Sequence, residues 1–515
     1  MSTDARERRW ETALFALLVA AHLAPVWAFT VFPSQDGPAH LENANVIRRY
    51  DEPARALFRQ HYSLRGKLEP NWAGHLFLVG LMRLAEPRTA EKLLVSLCVL
   101  ALPLAARYAM SAVRPGAYWP AIFVVPFTLS WFVHMGFYYF ALSLALFFVA
   151  VGYWLRHQDR LRAREVATLA ALGLALHFAH LVSLIAAAVV TTLLAACRRS
   201  STLVVKTIAA FLPAVCLTGL FFLARPWQSY PPAPPSQQLE KLSRLDPVLV
   251  SFGDAETLPS SALFWALAAA AAAIIVRKLI RRSIGPHDGL LLAVAAMTAL
   301  YVYAPQAAAN GGYVSPRLAV YPVFLLLIWC AAEGAPRLVR VAGQAAGAGV
   351  ALLLLLVRVP IYRDIDRAYG EYLAAAALVE PDTILLSLRQ GEPRARGEAR
   401  SDRVDVFLHA GGHIAAEKNV IQLVNYEART GHFPTQFRSD PYVQMGDPER
   451  NPPCVNLATY RQRSGRAIDY VLLWQFPDAA GDPCIRLLLQ QLGSDYERVF
   501  TSETGRARLY RVRSP

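Results

Sequence analysis

The sequence predicts a polytopic α-helical membrane protein of about 11 transmembrane helices with a C-terminal extracytoplasmic α/β domain, and three observations carry that reading. Of its 515 residues 55% are hydrophobic and only 17% charged, unlike an average soluble domain. The apolar residues are gathered into long blocks such as Ala351-Leu352-Leu353-Leu354-Leu355-Leu356, and a bilayer core of about 30 Å needs roughly 20 of them in a helix. The net charge of +14 falls largely in short clusters beside those blocks: Arg6, Arg8 and Arg9; Arg156 to Arg164; Arg198 and Arg199; Arg277 to Arg282. Clusters in such short loops keep them on the cytoplasmic side. With no compact basic module interleaved with aromatics, nucleic acid is excluded as a partner.

Apolar segments predict spans near residues 12–32, 90–110, 117–133, 136–155, 165–178, 180–196, 203–223, 260–277, 288–304, 317–333 and 340–357. The first is long and lacks a small-residue cleavage site, so it reads as a retained span rather than a signal peptide. The segment 72–85 is short for a crossing, and counting it as one would place Arg156 to Arg164 outside. It reads instead as a helix lying at the interface, with Trp72 and Asn71 at its head as an aromatic anchor, and the first outer loop then runs from 33 to 89. The stretch 165–196 is too long for one span yet flanked by basic clusters on both sides, which predicts a hairpin turning near His177-Phe178-Ala179-His180. The N-terminus is then cytoplasmic and the C-terminus outside. High Ala, Arg and Pro content suggests a GC-rich bacterial genome, and so a multi-pass protein of the bacterial inner (plasma) membrane.

Residues 1–359 thus form the transmembrane domain, with a second, Pro-rich outer loop at 224–259. Residues 360–515 are mixed polar, with strand-like runs at Thr383-Ile384-Leu385-Leu386, Tyr470-Val471-Leu472-Leu473-Trp474 and Ala507-Arg508-Leu509-Tyr510, enough for one small α/β domain. Cys98, Cys197, Cys216 and Cys330 fall in or beside spans. Cys454 and Cys484 alone lie in the outer domain, where an oxidising compartment would let them pair. The cysteine spacing is not that of a zinc site.

The stretch richest in chemistry follows the first span: Phe32-Pro33-Ser34-Gln35-Asp36-Gly37-Pro38-Ala39-His40-Leu41-Glu42-Asn43-Ala44. Pro38 suits the first turn of a helix, and Asp36 is placed either to cap it or to do chemistry at the outer membrane face. A carboxylate there can take a proton from a hydroxyl nucleophile or hold a divalent cation, and His40 lies one helical turn away.

This arrangement resembles the GT-C superfamily of integral-membrane glycosyltransferases, which have a polytopic bundle, a long first outer loop with juxtamembrane helices, and an acidic residue just after span one. Asp36 occupies that position, and His40 falls where related Asp-x-x-x-His motifs carry a histidine. A strict Asp-Glu pair is absent because Gly37 follows Asp36, and Glu42 is a poor substitute by spacing, so metal dependence stays open and the cofactor unknown, a divalent cation being one candidate. The resemblance implies a polyprenyl-phosphate-linked sugar as donor and a lipid, glycan or protein acceptor outside the cytoplasm. It implies inverting transfer with Asp36 as the general base or acceptor-orienting carboxylate.

Such a donor requires cationic and hydrogen-bonding groups where spans meet the outer face. Candidates for substrate binding are His40, His134, His177, His180, Tyr313 and Arg317, the last two from Asn310-Gly311-Gly312-Tyr313-Val314-Ser315-Pro316-Arg317. An arginine at a span end also snorkels, and histidines there also serve as interfacial anchors. His409, Gly411, Gly412, His413 and Asn425-Tyr426-Glu427 form either ordinary α/β turns or a loop facing the site. Two other classes stay open, a transporter or lipid flippase and a non-catalytic membrane scaffold. The first predicts broken helices at the midplane and repeated halves, which the sequence does not clearly show.

Overall fold

The computed structural model describes residues 3–66, 69–70, 72–223, 229–308, 311–390, 403–431, 433–477 and 481–513. Asn71 and Asn310 lie outside them. The chain divides into two compact units: Met1–Val26, Val95–Val133 and Phe137–Val359 form the first, and Trp27–Leu94, His134–Gly136 and Pro360–Pro515 the second. Residues 27–94, which the sequence assigns to the transmembrane domain, therefore pack with the C-terminal region instead.

The first unit is a helical bundle, and this is a multi-pass membrane protein. Helices stand at all eleven expected positions, but among the described residues seven are long and apolar enough to cross a membrane: Arg9–Ala28, Pro87–Val113, Tyr138–Arg160, Ser201–Leu223, Asp254–Arg281, Val314–Glu333 and Arg337–Leu378. The others are shorter. Ala163–Ala179 and Leu181–Cys197 have 17 residues each and Gly289–Tyr303 has 15, so they rise only about 22–25 Å. The break between the first two is one residue, His180, held in extended conformation at φ −166 and ψ 128, with its ring Nδ1 accepting from Val182 N. That histidine makes the turn which the sequence marks with neither Gly nor Pro.

The expected span at 117–133 is corrected most. It is an 11-residue 3₁₀ helix, Trp119–Leu129, followed by the single turn Trp131–His134. Pro126 has no N–H to give and its ring collides with the carbonyl four residues back, which opposes a continuous α-helix. Every residue of the 3₁₀ stretch is buried. Polar contacts tie the bundle together: Ser183 Oγ lies 2.6 Å from both Ser143 Oγ and Tyr321 OH, and Trp154 Nε1 donates to Thr207 Oγ1 at 2.9 Å. The described part of the Pro-rich segment contains the helices Pro235–Ser243 and Asp246–Leu249. The helix Arg337–Ala374 runs on past the expected boundary at 359/360, carrying Pro360 within it.

The second unit is built on a five-stranded sheet in the order Tyr496–Thr501, Ala507–Val512, Tyr470–Trp474, Ile384–Arg389, Ile421–Gln422. The first two pairings are antiparallel and the last two parallel. Three of these strands are the runs read from sequence. Ile384, Leu386, Val471 and Leu473 from the central strands pack with Ile485, Leu488 and Leu492 of the helix Pro483–Asp495. Cys454 and Cys484 form a disulfide. Segment 33–89 belongs to this body: its short strand Tyr62–Leu64 pairs antiparallel with Thr435–Phe437, and its helix Ala56–His61 adds Leu57 and Phe58 to the same core.

Candidate functional site

Within the second unit the segment after the first span is gripped before its helix begins. Gln35 N donates to His134 O at 2.9 Å and Asp36 N to Met135 O at 3.2 Å. The helix Gly37–Arg49 then starts with Pro38 in its first turn. Two glycines let other backbone press against that start. Gly136, at φ +82, would put a Cβ 2.6 Å from Gly37 N, and Gly412, which lies in the first turn of the helix Gly411–Lys418, would put one 2.3 Å from Pro38 O. Neither place admits a side chain.

Asp36 stands at the cap position, but its carboxylate makes no capping hydrogen bond. Only its carbonyl serves the helix, accepting from His40 N at 3.1 Å. Of the two roles open to Asp36, capping is thus left to the backbone. The side chain is 6% exposed and meets three groups. Tyr426 OH donates to Oδ2 at 3.1 Å, Gln35 Nε2 donates to Oδ1 at 3.1 Å, and His409 Nε2 lies 3.7 Å from Oδ1. Gln35 is itself oriented, accepting from Asp405 N at 3.0 Å. His409 stacks on Tyr426 with ring centroids 4.6 Å apart. Burial pushes Asp36 up to about 6, against the pull of His40, Gln35 and Tyr426. Burial pushes His409 down to about 3 and keeps it neutral. The result is a carboxylate that is ionised at neutral pH yet more basic than an exposed one.

His40 is part of a separate cluster. Its Nδ1 pairs with Glu427 Oε1, and its Nε2 lies 2.9 Å from Gly136 O. The second oxygen of Glu427 meets His75 Nε2 at 2.8 Å. Burial opposes ionisation of both partners, but Glu427 raises His40, and His40 with His75 holds Glu427 well below the usual carboxylate range. Glu427 owes its position to a cap: Asn425 accepts from Ala428 N at 3.2 Å to start the helix Tyr426–Thr430, and exchanges hydrogen bonds of 3.1 and 3.3 Å with Asn43. One turn of helix thereby presents Tyr426 to Asp36 and Glu427 to His40. Glu42 joins neither group. It accepts from Tyr62 OH at 3.1 Å, and burial raises it to about 8, with Asn425 and Tyr62 opposing.

The structure therefore brings together Asp36, His40 and His134, the last through its backbone. The ring of His134 turns away, stacking on Phe32 and meeting Tyr362 OH at 2.6 Å. In the first unit, three of the four candidates share one aromatic cluster. Arg317 lies over Phe137 and Phe140, at 4.4 and 5.6 Å to the ring centroids. Tyr313 packs on Trp131 and Phe137, and His180 on Phe140 at 4.9 Å. His177 stands apart, bonded to Thr218 Oγ1 at 2.9 Å. Of the groups around Asp36 and Glu427, the sequence reading missed His75. Its only signal is a lone histidine in an apolar segment too short to cross a membrane.

Fold and site define a multi-pass helical membrane protein whose second unit carries a buried carboxylate beside a histidine–glutamate cluster. No family model matches the chain, and no curated protein matches it. Among solved structures it is similar to the arabinofuranosyltransferase AftD from Mycobacteria, with a TM-score of 0.49 and 15% identity over 99% of this chain. The chain spans 40% of that structure's length.

Proposed function

We propose that this protein is a GT-C-type glycosyltransferase that moves a sugar from a polyprenyl-phosphate carrier to a hydroxyl acceptor on the extracytoplasmic face, with inversion. The observation that carries the reading is the Asp36 carboxylate, released from capping, oriented by Tyr426 and Gln35, and made more basic by burial. Asp36 takes the acceptor's hydroxyl proton as the oxygen attacks the anomeric carbon. The bond from that carbon to the carrier's phosphate oxygen breaks, and the phosphate leaves with the electron pair. In the first unit, Arg317, which shares an aromatic cluster with Tyr313 and His180, is a cation of the kind that grips a phosphate.

The outward orientation draws support from two sources. Disulfides such as Cys454–Cys484 are favoured in oxidising compartments, and arginine clusters in short loops between spans are favoured on the cytoplasmic side. The test is transfer from a labelled lipid-linked sugar in membranes bearing wild-type or Asp36→Asn protein. Loss of transfer with normal protein levels supports the base. Undiminished transfer removes Asp36 from that role, and carrier-dependent uptake without transfer would make the protein a transporter.

A further inference from the structure

Three donor atoms from distant parts of the second unit converge on one point. One ligand atom each from His40, His75 and Glu427 lies within 4.8 Å of the other two. His75 and Glu427 are fully buried and His40 is 3% exposed. The two imidazole rings stand almost perpendicular, 88° between planes with centroids 5.4 Å apart, so neither blocks the other's approach to Glu427.

The hydrogen bonding around His40 has the form found at a metal-bound histidine. With His40 Nε2–H donating to the Gly136 carbonyl, it is Nδ1 that faces Glu427, and loss of the proton shared there frees its lone pair for a metal. Metal-bound histidines are commonly oriented by such a carbonyl on the far nitrogen. A lone pair facing a carboxylate needs a cation between them, either a proton or a metal ion. One carboxylate here serves two imidazoles at once, one on each oxygen, where a simple ion pair would use one.

We propose that His40, His75 and Glu427 form a binding site for a divalent transition-metal ion of the zinc class. Two imidazole nitrogens and one carboxylate oxygen are the donor set of zinc sites that have three protein ligands and one open position. Imidazole favours such ions over calcium and magnesium. On binding, the metal displaces the protons that Glu427 now shares with the two rings. The ion ties the helices Gly37–Arg49 and Trp72–Leu81 to the turn at Glu427, whose preceding residue, Tyr426, donates to Asp36. The site stands on its own donors and does not depend on Asp36 acting on a sugar acceptor.

The test uses tag-free, full-length protein in detergent, stripped with a chelator, exposed to Zn²⁺ alone and desalted, with bound metal measured by mass spectrometry. The expected result is about one zinc per chain, retention reduced at least about tenfold in Glu427→Gln and His75→Gln, and near-UV circular dichroism showing those variants folded. Because a buried substitution can prevent folding, the wild-type protein supplies a second measurement: X-ray absorption of bound zinc should show two imidazole nitrogens in its shell. Wild-type protein that retains no zinc, a zinc shell without two imidazoles, or a folded Glu427→Gln that holds zinc like wild type would each overturn the site.

Discussion

Two buried carboxylates, one in each unit, carry opposite instructions. Glu256 in the first unit is saturated: it accepts from the backbone N–H groups of Ser251, Phe252 and Gly253 at 2.7, 2.5 and 3.3 Å, and pairs with the buried Arg358. Arg358 in turn donates to the carbonyls of Leu129 and Leu249, which joins the end of the 3₁₀ stretch to the helix Asp246–Leu249. Asp36 in the second unit has one tyrosine hydroxyl, one amide and a neutral histidine at 3.7 Å. No full positive charge contacts it directly among the described residues. Saturation makes Glu256 a structural lock with no lone pair to spare. Under-saturation leaves Asp36 able to take a proton, and that difference separates the two more sharply than burial does.

The largest effects should therefore fall on different quantities. Asp36→Asn should lower transfer by about 10²- to 10⁴-fold while leaving the thermal unfolding of the detergent-solubilised protein near that of wild type. Arg358→Met should do the reverse in kind, leaving Glu256 buried without its cation and lowering stability by about 3–5 kcal/mol, seen as a depressed unfolding midpoint. If Arg358→Met unfolds at the wild-type temperature, Glu256 is not a lock and the comparison fails.

A smaller effect tests how firmly Asp36 is aimed. Gly136→Ala adds a Cβ at φ +82 and 2.6 Å from Gly37 N, which should cost about 1–3 kcal/mol. Since that contact lies beside Asp36, transfer should fall further than the stability loss explains. A Gly136→Ala protein with wild-type kinetics would show that the grip on this segment is incidental. Over the step from neutral to mildly acidic buffer, the smallest effect concerns pH. His413 is fully buried, and burial first, then Arg88, pushes it down to about 3; His409 is held near the same value. Unfolded histidines take up protons near 6.5, whereas these refuse them until about 3, so stability should fall as pH drops through that window. The slope should reach about 1.4 kcal/mol per pH unit for each histidine. His413→Leu should flatten it, measured as the unfolding midpoint between neutral and mildly acidic buffer.

How much of this the sequence carries depends on how far apart the cooperating residues lie. The spans are local facts of composition, so eleven helical positions could be read directly. Only Pro126 and the short segments altered their form. Asp36 was readable because its meaning is positional, directly after a span. Tyr426, Glu427 and His409 were visible only as a polar loop with two readings, because nothing local ties them to Asp36 or His40. His75 was invisible among Trp72–Leu81, since apolar neighbours give a histidine no chemical context until the fold supplies Glu427. The cysteines could be seen as able to pair, and their pairing needed three dimensions.

The hydrogen bond between Tyr426 and Asp36 joins residues 390 positions apart. At typical rates of synthesis the aspartate waits roughly 20–80 s before its tyrosine exists. Throughout that interval the growing chain can insert its helices but holds an unfinished centre. A chain halted on the ribosome before residue 426 would already be lodged in the bilayer, its Asp36 still without the tyrosine that orients it.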